Sequence, residues 1–314
     1  MIDVVGKRRY FIGLSIVLMA ASVVALFYPG LKFGVDFSSG SSMTLRFTGD
    51  DPGRAAIAEA FVAAGRDEAV VQSAGGGEYF VRTVELDVPG AEDARRATIE
   101  AELTSRFPDR YEIIEITTVG SAVAKETIRT AIYAVLVGSG FVMLYIMYSF
   151  RSVPASWRYA LASVIPLAHD VLITMGVFAI VGKIIHLEVN AIFIIGVLTL
   201  IGSSVNNTIV VFDRIRENVR VAPLRPFKQT VNIAISETLT RNLNVSITLF
   251  IALAAMFLLG GSTLRDLLII LLVGLVVGLY STTFIAAQIV VALESGEVRM
   301  PFRRRKSSAS TPPA

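Results

Sequence analysis

Six stretches of about twenty apolar residues recur along this chain, at roughly 10–29, 130–149, 159–181, 190–212, 243–260 and 267–292. A helix needs about 20 such residues to cross the hydrocarbon core of a bilayer. Backbone in that core must satisfy its own hydrogen bonds. Together these facts predict a polytopic α-helical membrane protein with six transmembrane helices. Composition agrees, since 54% of the 314 residues are hydrophobic and 18% charged, against about 25% charged in soluble domains. With no cysteine, the chain has neither a disulfide framework nor a Cys-based metal site. Two histidines, His169 and His186, are too few for a His-rich cluster, so no metal or cofactor is expected. Gly6-Lys7-Arg8-Arg9 resembles the basic region of a signal peptide. The apolar run behind it is longer than a signal core, however, and Tyr28-Pro29-Gly30 follows in place of a small-residue cleavage site. Residues 1–30 are therefore read as the N-terminus and an uncleaved first helix.

Basic residues set the orientation, because short loops rich in Lys and Arg stay in the cytoplasm. Lys7, Arg8 and Arg9 precede span 1, and Arg151 and Arg158 lie between spans 2 and 3. The segment 213–241 carries Arg214, Arg216, Arg220, Arg225, Lys228 and Arg241, and the tail 293–314 carries Arg299, Arg303, Arg304, Arg305 and Lys306. The opposite short loops hold only Lys183 and Arg265. Both termini are thus expected inside, with residues 31–128 outside as a soluble domain and 129–292 forming the bundle of spans 2–6. The end of the tail, SSASTPPA, is small and polar and reads as disordered.

In the external segment, Ser41–Phe47 alternates like a strand, and Asp50-Asp51-Pro52 opens a helix that runs to Gly65. Ala69–Ser73 and Glu78–Val84 flank Gly75-Gly76-Gly77 as a hairpin. Ala91–Arg106 reads as a second helix, and Tyr111–Val119 alternates again. The order β-α-β-β-α-β predicts an α+β ferredoxin-like external domain between helices 1 and 2.

Polar residues inside the spans are the candidates for function. Asp170 is the twelfth of the 23 residues of span 3, where a carboxylate costs roughly 2.5–3.5 kcal/mol to insert and usually faces a cavity or partner. Two readings fit: a proton relay, or a protonated Asp bonded to a neighbouring helix with His169 filling a polar corner. In span 4, Thr199, Ser203, Asn206, Val210 and Asp213 recur at helical spacing and share a face, which Asn207 and Arg214 broaden. That face is expected to look inward at another helix, with Arg241, Asn244 and Thr248 of span 5 as possible partners. Gly274 and Gly278 form a GxxxG pair suited to close packing. Neither Gly6-Lys7 nor Gly182-Lys183 completes a Walker A motif. Any work is therefore driven by a partner or an ion gradient, and one charge crossing 100 mV yields roughly 2.3 kcal/mol.

The segment GSSVNNTIVVFDRIREN, 202–218, resembles the hallmark of SecF, in the SecD/SecF family of protein-export membrane subunits. GVDFSSG, 34–40, is similar to that family's G-x-D-F-x-G-G motif, and HDV at 169–171 and TLTRNLNVSIT at 238–248 match in type and order. The resemblance implies half of a resistance-nodulation-division-like bundle in the bacterial inner membrane, and no enzyme activity. It implies a heterodimer with SecD beside the SecYEG channel, with YajC and YidC as further partners. Unfolded preproteins would be drawn outward by the proton-motive force; no nucleic acid is involved. Carried onto this sequence, Asp170, Asn206 and Arg214 form the proton relay, supported by His169, Ser203, Asn207, Asp213 and Arg241. Gly34, Asp36, Phe37 and Gly40 form the outer motif. Two departures stand out. Asn207 replaces the family's aspartate, with Ser203 for its tyrosine, and Ser39 replaces a glycine in the outer motif. Rival readings are a structural subunit that carries no protons, and a half-size exporter of lipids or small molecules.

Overall fold

The computed structural model describes residues 3–84, 86, 92–151, 156–185, 187–259 and 264–295. The tail expected to be disordered, His186, and Ala91 at the start of the second external helix lie outside the described residues. Among the described residues, six helices are long and apolar enough to cross a membrane: Arg8–Gly30, Ser121–Ser149, Trp157–Ile185, Ala191–Val221, Phe227–Leu259 and Arg265–Glu294. We label the regular helices α1 (Arg8–Ala25), α2 (Val35–Ser38), α3 (Gly53–Ala63) and α4 (Glu92–Arg106). They continue as α5 (Ser121–Ser149), α6 (Trp157–Ile185), α7 (Ala191–Val221) and α8 (Phe227–Leu259). The last span consists of α9 (Arg265–Ser281) and α10 (Ala287–Glu294), joined by a wide π-helical turn at Thr282–Ala286.

Several helices overrun their apolar segments. α7 continues to Val221 and α8 starts at Phe227, so most of 213–241 is helix. Ion pairs one turn apart support this polar extension: Arg214 lies 2.7 Å from Glu217, and Arg216 pairs with Asp213. Arg214 also bridges to Glu237 of α8 at 2.7 Å.

Burial divides the spans into two classes. The apolar windows of α6, α7 and the α9–α10 span are 50%, 44% and 56% buried, whereas those of the α1 span, α5 and α8 are 17%, 6% and 11%. Three helices therefore form the centre and three flank it. Aromatic rings lock the ends, with Phe150 stacked on Tyr159 at 5.3 Å and both edge-on to Phe212. Phe178 meets Phe193 at 4.7 Å. Small residues allow close approach. A Cβ on Gly274 would stand 2.6 Å from Leu200 Cδ1, so the GxxxG pair does serve packing, against α7.

Residues 40–119 build the sheet domain, with β1 (Gly40–Phe47), β2 (Val70–Gly75), β3 (Glu78–Thr83) and β4 (Tyr111–Val119). The sheet runs β2-β3-β1-β4 with every neighbouring pair antiparallel. The order of strands and helices is the expected β-α-β-β-α-β. Alternation explains its core: Met43, Leu45 and Phe47 of β1 point inward with Tyr79 and Val81 of β3, against Ile57 and Phe61 of α3 and Ile99 and Leu103 of α4. Arg46, facing out, pairs with Glu78 across the strands at 2.8 Å.

Helices α1 and α6 approach most closely at Gly176, where a Cβ would fall 2.4 Å from Ser22 Cβ and 2.5 Å from its Cα. Backbone rather than a flexible tip stands in the way. Gly176→Ala is therefore expected to push α1 off α6 and cost about 1–3 kcal/mol, read as a lower midpoint of thermal unfolding in detergent.

Candidate functional site

Asp170 lies on α6 where the three central helices meet, and it is fully buried. Ser204 of α7 donates to its Oδ2 at 2.6 Å, and Ser281 at the end of α9 donates to the same atom at 2.7 Å. His169 Nδ1 lies 3.0 Å from Oδ1. Among the described residues no Lys or Arg pairs with it. A carboxylate removed from water costs several kcal/mol unless paired, and hydrogen bonds to a charged group return about 1.5–3 kcal/mol each. The site thus supplies its own solvation from hydroxyls and an imidazole. Position 281 immediately precedes the π-helical turn, and such turns recur at functional sites because they re-aim side chains within a helix. Here the turn also sets Thr282 Oγ1 3.2 Å from Thr208 Oγ1.

The network can be satisfied in both protonation states. With Asp170 ionised, both serines donate to it, as does His169 Nδ1–H, and Nε2 accepts from Ser15 of α1 across 3.2 Å. With Asp170 protonated on Oδ2, Ser281 can turn its hydroxyl to Gly278 O, 3.2 Å away, and accept instead, while His169 Nδ1–H still donates to Oδ1. With the proton on Oδ1 instead, His169 can change tautomer: Nδ1 accepts, Nε2–H donates to Ser15, and Ser15 donates onward to Tyr280 OH at 3.4 Å. Tyr280 OH in turn donates to Phe11 O of α1 at 2.8 Å. A proton on Asp170 is thereby read by α9 when Oδ2 holds it and by α1 when Oδ1 does.

The structure does not bring the three expected relay residues together within this chain. Asn206 is exposed; it lies two residues, about 200° around the helix, from Ser204. Arg214 sits ten residues, about 15 Å, along α7 from Ser204 and is held by Glu217 and Glu237. Of the supporting set, His169 alone touches Asp170. Ser203 bonds back to Leu200 O at 3.0 Å, Asp213 pairs with Arg216, Arg241 is exposed, and Asn207 is buried. The stripe Thr199, Ser203, Asn206, Asp213 therefore faces away from the bundle, correcting the expected inward orientation: α7 packs through Ser204, Thr208 and Val211. Sequence reasoning missed Ser204, Ser281, Ser15 and Tyr280. The triplet Ser281-Thr282-Thr283, polar within an otherwise apolar span, was the available signal.

The outer motif docks the sheet domain onto the bundle. Gly34 N donates to Val189 O at 2.8 Å, and Val189 N donates to Lys32 O at 2.7 Å. Asp36 Oδ2 accepts from Ala191 N at 2.8 Å and Asn190 Oδ1 from Phe193 N at 2.9 Å, which caps the start of α7 twice over. Phe37 is buried in the bundle's core. At Gly40, φ is +125° and a Cβ would stand 2.6 Å from Thr83 O. Beside this loop, Glu188 lies 3.7 Å from Arg82 of β3 and accepts from Gln72 of β2 at 3.1 Å. Burial pushes the Glu188 carboxyl up, while Arg82, Gln72 and Lys32 pull it back in part.

With this geometry described, comparison with known proteins is direct. A family model described as "Protein export membrane protein SecD/SecF, C-terminal" matches residues 98–296, and one described as "SecD/SecF GG Motif" matches residues 24–51. The protein translocase subunit SecF of Thermobaculum terrenum is 36% identical over 99% of this chain and 99% of its own length. This chain belongs to the SecD/SecF family. The protein translocase subunit SecDF of Thermus thermophilus is 32% identical over 97% of this chain, which spans 39% of that longer protein. The crystal structure of SecDF from that organism superposes with a TM-score of 0.82 at 32% identity, covering 94% of this chain and 39% of its own.

Within the SecD/SecF family motif, the departure at Ser39 has a structural cost. Its backbone sits at φ 60° and ψ 165°, a region in which glycine is at ease and a side chain costs about 1–3 kcal/mol. Ser39→Gly is expected to stabilise the fold by about 1 kcal/mol after the greater chain entropy of glycine is offset, seen as a raised unfolding midpoint. For Glu188 the raised carboxyl has a definite sign. Its contribution to stability is fully present below the ordinary value of 4.5 and is lost as pH rises through the raised one. Hydrogen-exchange protection of the Gly34 and Val189 amides should fall as pH rises through that raised value and become flat in Glu188→Gln.

Proposed function

We propose that this chain is the SecF subunit of a protein translocase that pairs with SecD and uses the proton-motive force to assist export through the SecYEG channel. The relatives it matches are named as subunits of protein translocases, SecF and the fused SecDF, which supports both the export role and the SecD partner. One observation carries the energetic part: Asp170, fully buried in a membrane span, is held by groups that can each reverse their hydrogen-bond role. In this reading a proton arriving from outside neutralises Asp170 at Oδ1, and His169, changing tautomer, hands the change to Ser15 on α1. Helix α1 leads directly into the outer domain, so repacking at its base shifts that domain. Both termini lie in the cytoplasm, the sheet domain lies outside the bacterial inner membrane, and the chain itself makes and breaks no covalent bond. YajC and YidC are accessory neighbours of the same assembly.

The polar stripe of α7 fits the pairing. Amides and hydroxyls facing hydrocarbon lose their water, so Thr199, Ser203 and Asn206 meet polar groups of a SecD span, and Arg241 of α8 borders the same seam. Asn207 favours a second reading, a subunit that steadies the complex without moving protons, because it cannot ionise where the family has an aspartate.

Asp170→Asn separates the two. Inner-membrane vesicles holding the assembled complex and a half-translocated preprotein are followed with and without a proton-motive force. The force-dependent release rate is expected to fall on the order of a hundredfold, the scale of losing a proton-transfer group, while ATP-driven insertion continues. Unchanged release in an assembled complex would establish the structural reading.

A further inference from the structure

Helix α8 carries two buried polar atoms without a hydrogen-bond partner among the described residues, Asn242 Nδ2 and Ser246 Oγ. The two residues lie one turn apart on one face, on a helix that packs against α7 and α9. They are 2% and 4% exposed, so neither lipid nor a partner subunit reaches them. An unpaired polar group so placed is costly, and valine or leucine would fill either position without the cost. Buried water bridges groups of this kind.

Their depth follows from the ion pair at the inner end of the bundle. Glu237 accepts from Arg214 Nε and Asn218 Nδ2, both at 2.7 Å, so it stands level with that turn of α7. The two helices run antiparallel. At about 1.5 Å per residue, Ser246 lies about 13 Å beyond Glu237, and Thr208 lies about 12 Å beyond the midpoint of Arg214 and Asn218. Ser246 is thus level with Thr208 and with Thr282, whose hydroxyls are 3.2 Å apart. Thr208 donates to Ser204 O at 2.9 Å, and Ser204 donates to Asp170 Oδ2. Asn242 stands one turn nearer the exposed Glu237. Polar groups therefore descend from Asp170 by way of Thr208, Ser246 and Asn242 to Glu237.

We propose that Ser246 and Asn242 hold buried water that carries the proton from Asp170 to the cytoplasm. The inference rests on the proton-relay reading above and adds an inward exit to it. That exit runs inside this chain, between α7, α8 and the last span, and not at the seam with a partner. A water takes the proton as the Asp170 O–H bond breaks. Each water and hydroxyl along the line then accepts one proton and releases another. A carboxylate is left at one end and one proton enters bulk water at the other. Neither Ser246 nor Asn242 touches Asp170, so both act as positioning residues for the water between them and the carboxylate.

The test uses the assembled complex in inner-membrane vesicles with a half-translocated preprotein, compared in ordinary and heavy water. Ser246→Val and Asn242→Leu are each expected to slow force-dependent release on the order of tenfold, less than loss of the proton-holding carboxylate itself. Proton passage then becomes the slow step, so the ratio of the rates in ordinary and heavy water should rise above that of the unaltered chain. Ser246→Thr matches valine in shape and keeps a hydroxyl. It should release several times faster than Ser246→Val, with a smaller isotope ratio. Equal slowing by the threonine and valine variants, with the isotope ratio unmoved, would show a packing defect and overturn the exit line. Full-rate release in Ser246→Val and Asn242→Leu, where Asp170→Asn loses the force-dependent step, would overturn the line and leave the relay standing. Unchanged release in Asp170→Asn would overturn the relay and the line with it.

Discussion

A carboxylate in hydrocarbon must carry its own solvent, and the centre of this protein is arranged around doing so for Asp170. Two hydroxyls and an imidazole reach it from α7, the end of α9 and its own helix. Each needs its helix at a particular rotation and close range. The small residues supply the range: a Cβ on Gly274 would stand 2.6 Å from Leu200 Cδ1, so this glycine lets α9 close on α7. The π-helical turn after Ser281 supplies the rotation, by shifting the register of the last span beside the site. Burial follows the same logic, because the three spans that solvate Asp170 are the three that lie deepest.

The second constraint lies at the outer face, where a sheet domain must sit on a helix bundle without leaving polar backbone stranded. The loop after α1 and the loop before α7 exchange hydrogen bonds through Gly34, Val189 and Lys32, and Asp36 closes the first turn of α7. This makes one chain segment answer for two jobs: it enters the domain and caps a central helix. Glu188 sits beside Arg82 at the same seam, and because burial favours its neutral form the seam's strength depends on the ionisation of a buried side chain on the outer side in the proposed topology.

Much of this was legible in the sequence. Long apolar runs marked the six spans, because length and hydrophobicity alone decide whether a helix crosses a bilayer. Alternation at Ser41–Phe47 and Tyr111–Val119 marked β1 and β4, because residues such as Met43, Leu45, Ile113 and Ile116 pack toward the domain core while their neighbours lie more open. Asp170 stood out as an ionisable group at mid-depth. Its partners did not stand out, for a physical reason. Helical spacing shows which residues share a face, as Thr199, Ser203, Asn206 and Asp213 do, but not which way that face points. Rotation is set by neighbours, and here the neighbours select Ser204 and Thr208, one residue away from the visible stripe. Ser281 and Ser15 are single hydroxyls with no period, and Glu188 is a lone carboxylate in a short loop; nothing local ties them to their partners.

The orientation of α7 has a consequence for the whole assembly. The helix is polar on the side that solvates Asp170, through Ser204 and Thr208, and polar again on the side that leaves the bundle, through Thr199, Ser203 and Asn206. Thr199 and Ser203 already donate to Ile195 O and Leu200 O of their own helix, but the exposed Asn206 amide is left to a neighbouring protein surface, so the span sits best between two of them. One of those surfaces is the centre of this chain, and the other must come from a partner, which fits a chain spanning 39% of the fused SecDF protein. Asn207 lies between the two sides, buried beside Thr208 and next to exposed Asn206. An amide there can donate and accept toward either surface, whereas an aspartate would add a second carboxylate near Asp170 and a second need for solvation. Replacing it with Asn leaves Asp170 as the sole buried carboxylate among the described residues of α6 and α7, so any proton the site holds is held at one place.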